Sequence, residues 1–123
     1  MKKVLIVDDA LYMRNKIHEV IDQLELEVVG QAEDGFDALD KFENLQPDLV
    51  TLDITMPFMS GIEVLQRMKV KNPKVIVIII AANGAEQSVK EAVLNGADNF
   101  IMKPFEEEDL KETIKACLNG GIR

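Results

Sequence analysis

Short apolar runs alternate with stretches of helical periodicity along the whole chain. Five runs rich in β-branched residues are predicted as strands, at 4–7, 27–32, 49–54, 75–80 and 100–102. After each run, apolar residues recur every three or four positions, which is typical of a helix buried on one face. These residues are Met13, Ile17, Val20, Ile21 and Leu24; Phe36, Leu39, Phe42 and Leu45; Ile62, Leu65 and Met68; Val89, Ala92 and Val93; and Leu110, Ile114 and Cys117. Gly120 and Gly121 are expected to close the last helix.

The apolar runs are continuous rather than alternating, which indicates strands covered on both faces and therefore a parallel sheet. We expect an α/β fold of five strand–helix pairs, (βα)5, with a doubly wound five-stranded parallel sheet. The length of 123 residues fits one domain, residues 1–123. Because the sequence ends at the fifth predicted helix, we expect no additional effector domain.

Composition narrows the function further. The net charge of −8 argues against binding to nucleic acid or to an anionic membrane, since both need a surplus of basic residues. The single cysteine, Cys117, excludes an intrachain disulfide and is expected in the core, and the single histidine, His18, is expected to be a solvated side chain. No segment is apolar enough for a signal peptide or membrane insertion, so we expect a cytoplasmic protein.

Charged residues follow several of the predicted strands. Asp8 and Asp9 come after the first run, Asp53 stands at the end of the third, Ala81 and Ala82 follow the fourth, and Lys103 follows the fifth. Ligands of parallel α/β sheets bind outside the carboxyl ends of the strands. We therefore expect the three carboxylates and the one ammonium to lie close together.

Such a cluster needs positive charge. Two carboxylates about 5 Å apart repel by roughly 3 kcal/mol at an effective dielectric constant near 20. Lys103 supplies part of the counter-charge, and a divalent cation such as Mg²⁺, which prefers oxygen ligands, would supply the rest. The alternative is that an aspartate such as Asp9 simply caps the following helix. The coincidence of three acids with Lys103 favours a metal and phosphoryl site.

The chain resembles the receiver domains of two-component response regulators, most closely the stand-alone CheY-like type. Residues 4–9, VLIVDD, match the opening motif of that family, and residues 53–63, DITMPFMSGIE, match its DxxMPxMxGxE segment. GADNF at 96–100 and KPF at 103–105 match the closing segments. The resemblance covers the whole chain and implies the strand order 2-1-3-4-5.

The resemblance also implies a role for each residue of the cluster. Asp53 would be the phosphoacceptor, attacking the phosphohistidine of a sensor histidine kinase. Mg²⁺ would be held by the side chains of Asp9 and Asp53 and by the backbone carbonyl of Thr55, with Asp8 acting through water or as a support. Lys103 would pair with a phosphoryl oxygen, and the bond from Lys103 to Pro104 is expected to be cis.

The chain departs from the family at its switch position. The family carries Thr or Ser where this chain has Ala81, and its hydroxyl moves with an aromatic residue, here Phe100. The missing hydrogen bond to a charged group is worth roughly 1.5–3 kcal/mol. Either the conformational response is weakened, or a water or the Asn83 side chain substitutes. Thr55 and Asn83 occupy the positions that tune the lifetime of the phosphoryl group in the family.

The resemblance implies a signalling switch rather than a turnover enzyme. The partners would be a histidine kinase and a target docked on the fourth helix, fifth strand and fifth helix, at about 85–118, where Lys90, Phe100 and Lys103 lie on or near the surface. Control of the flagellar motor in chemotaxis is favoured over the alternative, a phosphorelay intermediate.

The rival functions come from other classes of protein. One is a haloacid-dehalogenase-like phosphatase, which is disfavoured because no DxD pattern follows the first strand. Another is a flavodoxin-like carrier, which is disfavoured because Asp8 and Asp9 would repel a phosphate. A pseudo-receiver acting only as a binding module is disfavoured by the intact acids and Lys103.

Overall fold

The computed structural model describes residues 1–120 and consists of alternating strands and helices. Five strands and five helices alternate strictly in these residues. They are β1 (Lys2–Val7), α1 (Leu11–Asp22), β2 (Leu26–Ala32), α2 (Gly35–Leu45), β3 (Leu49–Asp53), α3 (Gly61–Lys71), β4 (Ile76–Ala82), α4 (Glu86–Leu94), β5 (Asn99–Lys103) and α5 (Glu107–Leu118). No helix within 1–120 has the length and apolar character needed to cross a membrane.

The strands form one sheet in the order β2-β1-β3-β4-β5. Every neighbouring pair is parallel. The chain adds β2 on one side of β1 and then β3, β4 and β5 on the other side, so the strand order reverses between β1 and β3. The prediction of a doubly wound parallel sheet with the order 2-1-3-4-5 is confirmed. The ends of β1 and β3 meet at this reversal, which is where ligands bind in such sheets.

Two apolar cores lie on opposite faces of the sheet. One core packs α2, α3 and α4 against residues such as Val50, Leu52 and Ile79. The other packs α1 and α5 against residues such as Leu49, Ile78 and Ile101, and includes Cys117, as predicted. Covering both faces explains why the inner strands β1, β3 and β4 have continuous apolar runs without alternation.

Some boundaries differ from the prediction. Ala81, Ala82 and Lys103 do not follow their strands but end them, because Ala81 pairs with Met102 and Ala82 with Lys103 in the ladder beyond the apolar runs. Leu24 lies outside α1, which ends at Asp22. The predicted stop at 120–121 falls partly outside the described residues, since Gly121 is not among them.

Two residues assigned to apolar helix faces are exposed instead. Phe36 is 62% and Val93 is 48% exposed. The buried residues of these helices are others, such as Ala38 and Phe42 in α2 and Val89 and Ala92 in α4. Periodicity identifies the stripe but not how much of its width the rest of the protein covers.

Candidate functional site

The carboxyl ends of β1, β3 and β5 bring the predicted residues together. Asp53 is the last residue of β3, Lys103 the last of β5, and Asp8 follows β1 directly. Side chains alternate along a strand, so Asp53 shares the face of Leu49, the one covered by α1 and α5. The three side chains therefore converge from separate strands at one edge of the sheet.

Asp53 is a buried carboxylate that is 3% exposed. Its Oδ1 accepts a 2.9 Å hydrogen bond from the backbone N–H of Thr55. Burial raises the pKa of Asp53 to about 6, and nearby Asp8 and Asp9 act in the same direction, while the Thr55 N–H and Lys103 oppose the increase. The ionised carboxylate is thus poorly compensated by the protein's own groups.

Lys103 is the cation of the cluster. Its Nζ lies 3.0 Å from Asp8 Oδ2 and 3.6 Å from Asp53 Oδ2. Burial disfavours the ammonium, but the hydrogen bond to Asp8 and the attraction of Asp53 and Asp8 outweigh it and raise the pKa of Lys103. The Lys103–Pro104 peptide bond is cis, as the resemblance implies.

Asp8, Asp9 and Asp53 form a group able to hold a metal ion. One carboxylate oxygen from each lies within 4.8 Å of the others. All three donors are hard oxygen ligands, and Asp9 is exposed, so an ion bound there can keep water or a phosphate oxygen in its shell. Asp9 does not cap α1: the cap position is Ala10, which has no side-chain capping bond. The donor set therefore fits Mg²⁺.

The loop after Asp53 is held by a close approach of α3. Gly61 N–H donates to the Ile54 carbonyl at 3.2 Å. A Cβ at Gly61 would lie 2.6 Å from Ile54 Cα, which requires a glycine there. Between these anchors Thr55 is exposed, and Phe58 is 85% exposed. Phe58 adopts a φ of 74°, in the left-handed region that side chains disfavour.

Of the remaining predicted positions, Ala81 and Asn83 lie near this edge of the sheet, while Phe100 lies near the start of β5 opposite Ile79. Ala81 is buried, pairs with Met102 in the sheet and presents only a methyl group. Phe100 is 43% exposed on β5. Asn83 is exposed just after β4. The structure thus places the two residues of the proposed switch on neighbouring strands, one buried and one facing outward.

Three residues near the site were not singled out from the sequence as part of it. Arg14 Nη1 donates to the Asp8 carbonyl at 2.6 Å, and Arg14 Nε donates to Gln31 Oε1 at 3.1 Å. Thr51, two residues before Asp53, is fully buried, and its hydroxyl has no hydrogen-bond partner among the described residues. The sequence offers one signal for Arg14, which is its place in the helix that directly follows Asp8 and Asp9.

The expectation for His18 is corrected. Its side chain is 38% exposed, with Nε2 3.6 Å from Asp22. Its Nδ1 lies 3.1 Å from the side-chain nitrogen of Gln31. His18 is therefore half-buried between α1 and β2 rather than simply solvated, because Gln31 projects from β2 toward α1.

Comparison with known proteins agrees with this geometry. The family model described as "Response regulator receiver domain" matches residues 4–115. The chain is 43% identical over 115 residues to the chemotaxis protein CheY of Listeria monocytogenes, covering 94% of this chain and 97% of that protein.

Solved structures agree as well. The CheY of Borrelia burgdorferi, in a complex with CheX, BeF3 and Mg²⁺, superposes with a TM-score of 0.89 at 34% identity, over 95% of this chain and 89% of that one. A CheY-like receiver domain protein from Methanospirillum hungatei gives a TM-score of 0.91 at 30% identity, over 98% and 95% of the two chains. From the motifs at the sheet edge and these matches together, the chain belongs to the receiver domains of two-component response regulators.

Proposed function

We propose that this receiver domain is phosphorylated on Asp53, with Mg²⁺ bound in the acidic pocket, and signals in chemotaxis. The observation that carries the proposal is the contact of one ammonium with two carboxylates: Lys103 Nζ lies 3.0 Å from Asp8 and 3.6 Å from Asp53. A carboxylate that is buried, ionisable and adjacent to a cation is suited to attack phosphorus, because the cation also stabilises the transferred group.

The reaction transfers a phosphoryl group between two side chains. An Asp53 carboxylate oxygen forms a bond to phosphorus while the bond from phosphorus to the histidine nitrogen of the kinase breaks. The electron pair of that bond leaves with the imidazole, which takes up a proton from solvent. The product is an aspartyl phosphate, and its later attack by water returns Asp53 and inorganic phosphate.

The acidic side chains would hold the metal. Asp9 and Asp53 would bind Mg²⁺ through carboxylate oxygens and Thr55 through its carbonyl, while Asp8 supports the site. Mg²⁺ held there would neutralise negative charge on the phosphoryl oxygens during transfer. Lys103 would donate to a phosphoryl oxygen in place of one of its present carboxylate contacts.

The proposed role is that of a switch and not of a turnover enzyme. A receiver consumes one phosphoryl group for each activation, and the groups described above would accept it and later lose it to water without acting on a second substrate. Ala81 lacks a hydroxyl to bond that phosphoryl group. We therefore expect a smaller conformational response at Phe100 than a threonine would give.

The output surface would be the face formed by α4, β5 and α5. A groove of about 560 Å³ between α4 and β5 is lined by Val89, Lys90, Val93, Leu94 and Phe100 among others. The Borrelia CheY related to this chain is found bound to CheX. We propose a chemotaxis target for this face, such as the flagellar motor switch, over transfer to a further relay protein, since the Listeria CheY, which this chain matches over nearly its whole length, is a chemotaxis protein.

Intact-mass measurement after treatment with acetyl phosphate tests the proposal. The protein should gain the mass of one phosphoryl group with Mg²⁺ present and much less with EDTA. Asp53→Ala should gain none. Asp40→Ala, an exposed aspartate on α2, is the matched control and should react like the original protein. An adduct that persists in Asp53→Ala would place the nucleophile elsewhere.

A further inference from the structure

The peptide that joins Asp8 and Asp9 connects two of the three acids of the pocket. The Asp8 N–H donates to the Ala32 carbonyl at 3.1 Å, continuing the β1–β2 ladder. The Asp8 carbonyl, beyond the end of that ladder, accepts the 2.6 Å hydrogen bond from Arg14 Nη1. Because a peptide is planar, its rotation changes ψ of Asp8 and φ of Asp9 together. Whatever fixes this plane therefore restrains the backbone from which both side chains project.

The guanidinium of Arg14 is itself held on a second side. Its Nε donates to Gln31 Oε1 at 3.1 Å, while Nη1 reaches the Asp8 carbonyl. The donors of a guanidinium project in one plane at fixed angles, so a second bond removes most of its freedom. Arg14 thus links α1, the end of β1 and β2 through a single rigid group.

Gln31 is in turn oriented by its neighbours. Its side-chain nitrogen lies 3.1 Å from His18 Nδ1, which accepts the hydrogen bond. Its backbone carbonyl accepts a hydrogen bond from Lys41 Nζ of α2. With the amide nitrogen directed at His18, the amide oxygen is left facing Arg14.

The partners of Arg14 are not those of a cation placed for its charge. An arginine placed for its charge pairs with a carboxylate, usually through two donors. Here the recorded side-chain bonds of Arg14 go to a backbone carbonyl and to a neutral amide. These partners indicate that Arg14 holds the backbone in place rather than neutralising the acids. The negative charge of Asp8 and Asp53 is balanced by Lys103.

We propose that Arg14 is a positioning residue for the acidic pocket: oriented by Gln31, it clamps the Asp8–Asp9 peptide and so helps to place Asp9, a proposed Mg²⁺ ligand, and Asp8, its supporting acid. The inference rests on the proposed Mg²⁺ site. Groups that orient metal ligands without touching the metal change affinity by about 10–100-fold when removed.

The test compares Mg²⁺ affinities by NMR titration of the amide resonances. Arg14→Lys keeps the charge but cannot span both partners, and should weaken Mg²⁺ binding about tenfold. Gln31→Leu leaves Arg14 charged but unoriented, and should weaken binding by a smaller factor. The double variant should bind Mg²⁺ no more weakly than Arg14→Lys alone, because Arg14 and Gln31 act as one unit. Arg67→Lys on α3 is the matched control and should not change the affinity.

A second readout is made without metal. The Asp9 amide resonance should shift in both Arg14→Lys and Gln31→Leu, while thermal unfolding in EDTA shows whether each variant is folded. Wild-type affinity in folded Arg14→Lys would overturn the proposal. If Arg14→Lys does not fold, unchanged affinity in Gln31→Leu overturns it instead. Failure of the original protein to bind Mg²⁺ at all would count against the proposed function, which separates the two results.

Discussion

The Lys103 ammonium donates a 3.0 Å hydrogen bond to Asp8, a carboxylate with 0% exposure. The second oxygen of Asp8 accepts a 2.9 Å bond from the Ala10 N–H. Lys103 is therefore the cation that pairs with the buried charge of Asp8. The pair joins β5 to the end of β1 through side chains across the edge of the sheet, since β3 and β4 lie between those strands.

Replacing Lys103 should destabilise the fold. Breaking a fully buried ion pair costs about 3–5 kcal/mol. Because the Lys103 side chain is 23% exposed, we expect Lys103→Met to lower the free energy of unfolding by about 2 kcal/mol at pH 7 without Mg²⁺. Urea denaturation measures this difference. Lys71→Met, which breaks the exposed pair with Glu43, serves as control and should leave the urea midpoint unchanged.

The stability lost in Lys103→Met should be recovered when the negative charge of its partner, Asp8, is also removed. Asp8→Asn in the Lys103→Met background keeps an oxygen to accept the Ala10 N–H but carries no charge. The double variant should be more stable than Lys103→Met alone. Equal stability would show that the buried charge of Asp8 is not what Lys103 compensates.

The stability of the metal-free protein should depend on pH through Asp53. Its pKa is raised from 3.8 to about 6, so the folded protein holds this proton more tightly than the unfolded chain. The ionised carboxylate therefore costs stability above about pH 6 and costs nothing below about pH 4. We expect Asp53→Asn to be more stable than the original protein by about 2 kcal/mol at pH 7.5 in EDTA.

The difference between the two proteins should shrink as the pH falls from 6 to 4, the window set by the two pKa values. Urea denaturation at several pH values measures it, and the other titrating groups largely cancel in the comparison. Adding Mg²⁺ at pH 7.5 should stabilise the original protein more than Asp53→Asn. A difference that is constant with pH would mean that Asp53 titrates as it does in the unfolded chain.

Restoring a hydroxyl at position 81 should enlarge the response to phosphorylation. Ala81→Thr places an Oγ at the end of β4, where a hydrogen bond to a charged phosphoryl group is worth about 1.5–3 kcal/mol. Chemical-shift changes on adding BeF3 and Mg²⁺ should then be larger at Phe100 and along β5. Ala81→Val has nearly the same shape without the hydroxyl and is the control. Equal responses in Ala81→Thr and the original protein would contradict the idea.

The buried hydroxyl of Thr51 should be a cost to stability. It lies between Ile6 and Ile78 in the sheet and has no hydrogen-bond partner in the part of the chain described. Thr51→Val keeps the shape and removes the polar atom, so the free energy of unfolding should rise by about 1 kcal/mol. Thr113→Val is the control because it makes the same substitution at a threonine whose hydroxyl has a partner. The Thr113 hydroxyl donates to the Asp109 carbonyl at 2.9 Å. A loss of stability in Thr51→Val would indicate a hydrogen-bonded water at that hydroxyl.

The fold and the converging acids were predictable for a physical reason. A strand buried on both faces must be apolar throughout, so the runs around Ile6, Val50 and Ile79 mark a covered parallel sheet. Parallel strands end at one edge, so Asp8, Asp53 and the residue after the fifth run had to lie near one another. These conclusions need only local patterns and the geometry of a parallel sheet.

The supports of the site were not predictable in the same way. The contact between Arg14 and Gln31 depends on the register of β1 against β2, which shifts between Val4 and Leu5. The orientation of Gln31 depends on His18, and no spacing in the sequence reveals either relationship. The exposure of Phe36 was missed for a similar reason, because it depends on what the rest of the protein leaves uncovered.

The pocket draws its acids from the first and third strands and its cation from the fifth, with Asp8 and Lys103 separated by 95 positions in the chain. During synthesis on the ribosome, the acids emerge long before the amine that balances them. A product truncated ahead of β5 would carry a cluster of carboxylates without Lys103. Under the proposed function, the phosphoryl-accepting site is therefore completed late, when the final strand joins the sheet, and chains that end before β5 would compete poorly for the phosphoryl donor.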